Sequence, residues 1–159
     1  MILYPQAAEA ARYIQENVPP FNYYEFNMSY SITLNTGCIV SLYMGQYTYM
    51  GGAHGSTVRT SDTWDFSTGK RIQLKDLYAN DVMMKDKILV WIENIISEML
   101  KISPEAFFDD YAKRLQDTLN LNNFYLAPDG IVIYFQQYDL APYAAGFPEF
   151  LLPHPNDVA

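Results

Sequence analysis

Tyr23-Tyr24-Glu25-Phe26-Asn27-Met28-Ser29-Tyr30-Ser31-Ile32-Thr33-Leu34 is the stretch that decides the fold class. Its residues alternate with period two. Tyr24, Phe26, Met28, Tyr30, Ile32 and Leu34 share one face, and Tyr23, Glu25, Asn27, Ser29, Ser31 and Thr33 share the other. Successive side chains of a strand point to opposite faces, so this is the signature of a β-strand and not of a helix. Asn35-Thr36-Gly37 supplies a tight turn with a residue suited to positive φ, and Cys38 to Tyr49 reads as the returning strand of a long hairpin.

Upstream, Gln6 to Asn17 carries Ala7, Ala8, Ala10, Ala11 and Ile14 on helical spacing and stops before Pro19-Pro20, which predicts a short amphipathic helix. Downstream, Met50 to Ser56 interrupts the alternation, Thr57 to Phe66 resumes it, and Ser67-Thr68-Gly69-Lys70 is a turn before Ile72 and Leu74. Val82 to Lys101 places Met84, Ile88, Trp91, Ile92, Ile95 and Met99 on one helical stripe. Ser103-Pro104-Glu105 reads as an N-cap, an N1 proline and an early acid, opening a helix that buries Phe107, Phe108, Tyr111, Leu115 and Leu119.

Three short strands complete the pattern: Phe124 to Leu126, Ile131 to Gln137 and Glu149 to Leu152. The middle one is apolar on both faces and should lie centrally in its sheet. The order helix, strands, two helices, strands predicts an α+β fold, a mostly antiparallel twisted sheet with helices packed on one side. At 159 residues the chain fits a single domain.

Half of the residues are apolar and 18% are charged, which is enough to bury a core. The 14 Tyr among 159 residues are an excess of a ring that suits half-exposed faces and binding surfaces. Charge is uneven: the first eighty residues carry six acids against five bases, and the remainder twelve against five, for a net charge of −8. Such a surface repels phosphate backbones, so nucleic acid is not an expected partner, whereas a basic protein would be steered toward it. No run of 18 apolar residues exists to cross a membrane as a helix, and no signal segment is visible at the start. Cys38, alone in an apolar setting, is expected to be a buried thiol outside any disulfide or zinc cluster.

Two stretches look like sites. Tyr49-Met50-Gly51-Gly52-Ala53-His54-Gly55 crowds glycines around a histidine, so Tyr49, Gly51, Gly52 and His54 could hold a ligand through exposed amides and an imidazole. The bland alternative is a bulged connection fixed by a hydrogen bond from the histidine to backbone. The second stretch, Tyr138 to Pro148, is apolar and aromatic yet reads as loop, so Tyr138, Tyr143 and Phe147 either pack on the core or await a partner. Tyr43, Tyr47 and Tyr49 line one strand face and raise the same question, with burial under a helix as the expectation.

A catalytic set is not assembled by spacing. Two histidines exclude an imidazole-rich metal site, no phosphate loop or GxSxG elbow is present, and Asp62 and Asp65 fall on opposite faces of their strand. Asp76 is expected to cap the turn around Leu77 and Tyr78, and Asp109 and Asp110 to sit early in a helix, where its dipole favours carboxylates. No metal, cofactor or catalytic residue is assigned.

Four blocks in order carry a family resemblance: Tyr47-x-Tyr49-x-Gly51-Gly52-Ala53-His54-Gly55; Asp65-Phe66-x-Thr68-Gly69-Lys70-x-Ile72-x-Leu74-x-Asp76-Leu77; Asn123-Phe124-Tyr125-Leu126-x-x-Asp129-Gly130-Ile131-x-Ile133-x-Phe135; and Tyr138-x-Leu140-Ala141-Pro142-Tyr143-Ala144-x-Gly146. Together they resemble the RsiV-like domain of unknown function, over residues 47–152. Residues 1–45 resemble the end of the companion domain that precedes it, which would leave the N-terminal part of that domain outside this chain. The resemblance implies a location outside the cytoplasm, secreted or lipid-anchored. The family includes the extracellular part of a lysozyme-sensing anti-sigma factor and a non-catalytic region of peptidoglycan deacetylases. It therefore implies a cell-envelope binding module for lysozyme or another basic protein, or for cell-wall glycan. The competing expectations are a glycan-acting enzyme using His54 with a nearby carboxylate, and a purely structural envelope domain.

Overall fold

A computed structural model describes residues 12, 16, 25–79 and 81–153. The helix expected over 6–17 and the tail at His154 lie outside the described residues, apart from Arg12 and Glu16, whose N–H to C=O bond of 2.9 Å is a single helical turn. The strands are β1 (Glu25–Thr36), β2 (Ile39–Tyr49), β3 (Ser56–Asp65), β4 (Lys70–Arg71), β5 (Phe124–Ala127), β6 (Gly130–Tyr134) and β7 (Glu149–Leu152). The helices are α1 (Leu74–Leu77), α2 (Met84–Ile102) and α3 (Tyr111–Thr118). One sheet has the order β1-β2-β3-β4 and the other β5-β6-β7, so the fold is α+β with antiparallel sheets. No described helix is long and apolar enough to cross a membrane.

Two compact units divide the chain, Met1–Tyr30 with Met44–Arg59, and Ser31–Tyr43 with Thr60–Ala159. The larger unit holds the main core. Met84, Ile88, Ile92 and Ile96 recur every four residues along α2 and bury against Ile131, Ile133, Phe135, Phe150 and Leu152 of the three-stranded sheet and its margins. β6 is central and wholly buried: Ile131 and Ile133 join that core, while Val132 and Tyr134 face the opposite way with Tyr125 and Tyr43. Gly130 has φ of 153°, and a Cβ there would stand 2.2 Å from the Leu152 carbonyl oxygen, so only glycine permits this approach of β6 to β7.

On both edges of the three-stranded sheet, side chains bond outward backbone groups. On β5 the outward groups are the Leu126 N–H, which donates to Ser41 Oγ (2.8 Å), and the Phe124 carbonyl, which accepts from Ser61 Oγ (2.5 Å). Ser41 Oγ also lies 2.7 Å from Thr63 Oγ1, and the Tyr134 hydroxyl donates to Ser61 Oγ (3.1 Å). On β7 the outward Leu151 carbonyl accepts from Trp91 Nε1 at 3.3 Å. Capping unpaired edge groups blocks addition of another chain and satisfies buried backbone.

The apolar face of β1, whose burial the alternation left open, is solvent-exposed: Phe26, Met28, Tyr30 and Ile32 all lie above 40% exposure, and Leu34 packs against the core. Several other residues depart from expectation. The buried positions of β2 and β3 are instead the hydroxyl residues Ser41, Ser61 and Thr63, because what approaches them is a strand edge that needs hydrogen bonds. Cys38 is exposed, since it occupies the β1–β2 turn. Trp91 and Met99 lie at the rim of α2, their expected place in the core being filled by Ile96.

The helix expected from Ser103 starts only at Tyr111. Its would-be first turn is diverted because the Phe108 N–H donates to the Leu140 carbonyl (3.0 Å) and Phe107 enters the core against Phe150 and Tyr111. Asp76 caps the start of α1 by accepting the Gln73 N–H (2.9 Å), one helical turn earlier than expected.

Candidate functional site

The glycine loop 50–55 belongs to the smaller unit. Gly51 and Gly52 both have φ of 96°, a conformation that side chains rarely adopt, and this lets the chain reverse between β2 and β3. The loop closes on itself. The Tyr49 hydroxyl donates to the Gly52 carbonyl (2.9 Å), and His54 Nδ1 lies 2.8 Å from the Gly55 carbonyl. Gly55 is buried under the Tyr47 ring, at 2.4 Å from where its Cβ would be. The Tyr49 hydroxyl and the imidazole thus bond to backbone of the turn itself. Tyr43 packs on Tyr125 at 5.4 Å, so its cover is a sheet and not a helix.

The second loop, 136–148, belongs to the larger unit and is anchored from below. Leu140 and Ala141 are buried in the core, the Phe135 N–H bonds the Pro148 carbonyl (2.9 Å), and Asp139 Oδ2 accepts the Gln136 N–H (2.8 Å). Burial of the Asp139 carboxyl pushes it above its ordinary range, against the opposing pull of the Gln136 N–H and the Arg114 charge.

On this base the loop presents Tyr138, about half exposed, and Tyr143, which opens a single 3-10 turn over Tyr143–Ala145 ended by Gly146 at φ 69°. The two rings lie 5.7 Å apart at 35°. Tyr138 is a non-glycine residue at φ 68°, a costly conformation that the structure retains. Phe147 is half-buried at the entry to β7.

In this loop Leu140 and Ala141 pack in the core, Tyr138 is exposed and Tyr143 is half-buried. The structure gathers Tyr49, Gly51, Gly52 and His54 in one unit and Tyr138, Tyr143 and Phe147 in the other.

Beside the ring pair stands a residue that the sequence reading passed over. The Arg114 guanidinium lies 4.5 Å over the Phe108 ring, its Nε pairs with Asp110 Oδ1 (2.6 Å), and its Nη1 reaches the Tyr138 carbonyl (3.4 Å). The available signal was the i, i+4 spacing of Asp110 and Arg114. The remaining acids near the turns are structural. Asp62 pairs with Arg71 (2.5 Å), and Asp65 accepts bonds from Ser67 and Thr68 that hold its carboxyl below the usual range. Among the described residues, no group of three His, Cys, Asp or Glu could hold a metal ion.

The family model described as "Protein of unknown function (DUF3298)" matches residues 75–154, and the model described as "Deacetylase PdaC" matches residues 2–57. The peptidoglycan-N-acetylmuramic acid deacetylase PdaC of Bacillus subtilis is 29% identical over 121 residues, which are 74% of this chain and 25% of PdaC. The chain thus spans a quarter of that relative's length. The crystal structure of a DUF3298-family protein from Bacteroides fragilis superposes with a TM-score of 0.65 at 22% identity, covering 92% of this chain and 58% of the other. A DUF3298-family protein from Pseudomonas aeruginosa gives 0.57 at 17% identity, covering 94% and 66%. These two structures share the fold. With residues 75–154, half of the chain, matched by the first model and a PdaC-like region before them, the chain belongs to the DUF3298 family, in keeping with its likeness to RsiV-like domains.

Proposed function

We propose that this chain is a non-enzymatic binding module of an exported cell-envelope protein, and that its ligand is a cell-wall glycan received on Tyr138 and Tyr143. The observation that carries this reading is the ring pair itself: an exposed Tyr138 and a half-buried Tyr143 with ring centroids 5.7 Å apart, on a loop anchored by the buried Leu140 and Ala141. Tyrosine offers an apolar face for a sugar ring and a hydroxyl for its polar edge, at little cost in side-chain entropy. The likeness to PdaC, whose named substrate is in peptidoglycan, supports the envelope and the glycan. Engagement of His54 Nδ1 with the Gly55 carbonyl supports a structural role for the glycine loop.

The test is a titration with the N-acetylglucosamine–N-acetylmuramic acid disaccharide. Saturable binding is expected, weakened roughly five- to tenfold by Tyr138→Ala or Tyr143→Ala at about 1 kcal/mol per ring. An absence of binding at ~10 mM, a ceiling near 3 kcal/mol of affinity, overturns the glycan.

A second reading, a basic protein such as lysozyme, is favoured by the net charge of −8. Complexes of that kind weaken steeply with salt, whereas sugar stacking is nearly indifferent to it, so repeating each titration at low and high ionic strength separates the two.

A further inference from the structure

We infer that Arg114 is a positioning residue that presets the Tyr138–Tyr143 ring pair for its ligand; this rests on the reading of that pair as a binding surface. Three segments of the larger unit meet at this one side chain. It rises from α3, stacks on Phe108 and pairs with Asp110 in the segment before that helix, and donates to the carbonyl of Tyr138. A parallel tie runs alongside, from the Phe108 N–H to the Leu140 carbonyl. Its charge also acts on the Asp139 carboxyl, one residue beyond the ring.

The residue so held is Tyr138, whose φ of 68° a non-glycine residue leaves unless its surroundings oppose the change. A planar guanidinium can stack with its face and donate from its edge in two directions at once; an ammonium cannot. With Arg114 removed, the Tyr138 carbonyl loses a donor and the backbone relaxes toward negative φ, carrying the ring away from Tyr143. A ligand would then have to order the loop on binding, at the expense of affinity.

The experiment compares the whole chain with Arg114→Ala, Arg114→Lys and, as a control on the same helix, Lys113→Ala. Nuclear Overhauser contacts between the Tyr138 and Tyr143 rings report the preset pair without any ligand. They are expected to vanish in Arg114→Ala, to weaken in Arg114→Lys and to persist in Lys113→Ala. Arg114→Lys can still pair with Asp110, so it keeps the test decisive if the alanine variant fails to fold. Affinity for the same disaccharide is expected to fall about tenfold in Arg114→Ala. Ring contacts that survive in Arg114→Lys and in any folded Arg114→Ala overturn the inference. A wild-type chain with intact ring contacts and no affinity for the disaccharide overturns the glycan reading instead, and leaves the role of Arg114 in shaping the pair to be decided by the contacts alone.

Discussion

The loops at 50–55 and 136–148 are built by opposite means from similar residue types. Both combine tyrosines with glycines, and both interrupt the strand pattern. The first is a short reversal with contacts of its own: Tyr49 on Gly52, His54 on Gly55, Tyr47 over Gly55. The second is longer and tied to the core, so that Leu140 and Ala141 anchor it from beneath while Tyr138 is exposed beside a half-buried Tyr143. A loop held by the core can hold a ring pair at the surface.

The contrast can be broken most forcefully at Leu140, which is completely buried. Leu140→Ala is expected to cost ~2–5 kcal/mol in global stability, measured by urea denaturation, because it removes core contacts and leaves a cavity. A cost below ~1 kcal/mol would mean that the loop does not hang on the core.

Gly55→Ala probes the other loop. The atoms nearest the added Cβ belong to the Tyr47 ring, which can shift, so the expected cost is smaller, about 1–3 kcal/mol. Tyr47→Ala should relieve it, and a double variant whose cost is the plain sum of the two singles would show that ring and glycine do not touch.

The smallest effect is electrostatic. Burial disfavours the charged form of Asp139, so the folded state binds its proton more tightly than the unfolded chain does. Its contribution is therefore most favourable below the ordinary value of 3.8 and falls as pH rises through the raised folded value. Asp139→Asn should stabilise the chain near neutral pH by a few tenths of a kcal/mol after solvent screening, with the gain vanishing toward pH 3. A gain that grows as pH falls, in thermal melts across that range, would reverse the assignment. Asp65 has the opposite sign, its carboxyl being favoured in the fold by Ser67, so its contribution is lost as pH falls through its lowered value.

Much of this was legible in the chain. Periodicity placed β1, β2, β3, α2, β5, β6 and β7 within a few residues of where they lie, and the doubly apolar run at 131–134 marked the central strand. The two loops were legible from their glycine, proline and tyrosine content. Less visible was what each apolar side chain meets. Phe26, Met28, Tyr30 and Ile32 alternate as a core face would, yet they are exposed, while the unremarkable Ser41, Ser61 and Thr63 are buried. Their hydroxyls matter only because the edge of β5 arrives from more than sixty residues away with an N–H and a C=O to satisfy. The start of α3 shows the same limit: Ser103-Pro104 is a sound local helix signal, overridden by the bond from Phe108 to Leu140.

Element type and order follow from the sequence by itself, because the 3.6 and 2.0 periods and the turn preferences of glycine and proline are properties of a few neighbouring residues. Which faces are buried, which strand-edge groups are bonded, and how Arg114 comes to stand between Phe108, Asp110 and Tyr138 were decided only by the tertiary structure. Burial and hydrogen-bond satisfaction depend on distant partners, and a local pattern holds no record of which partner will come.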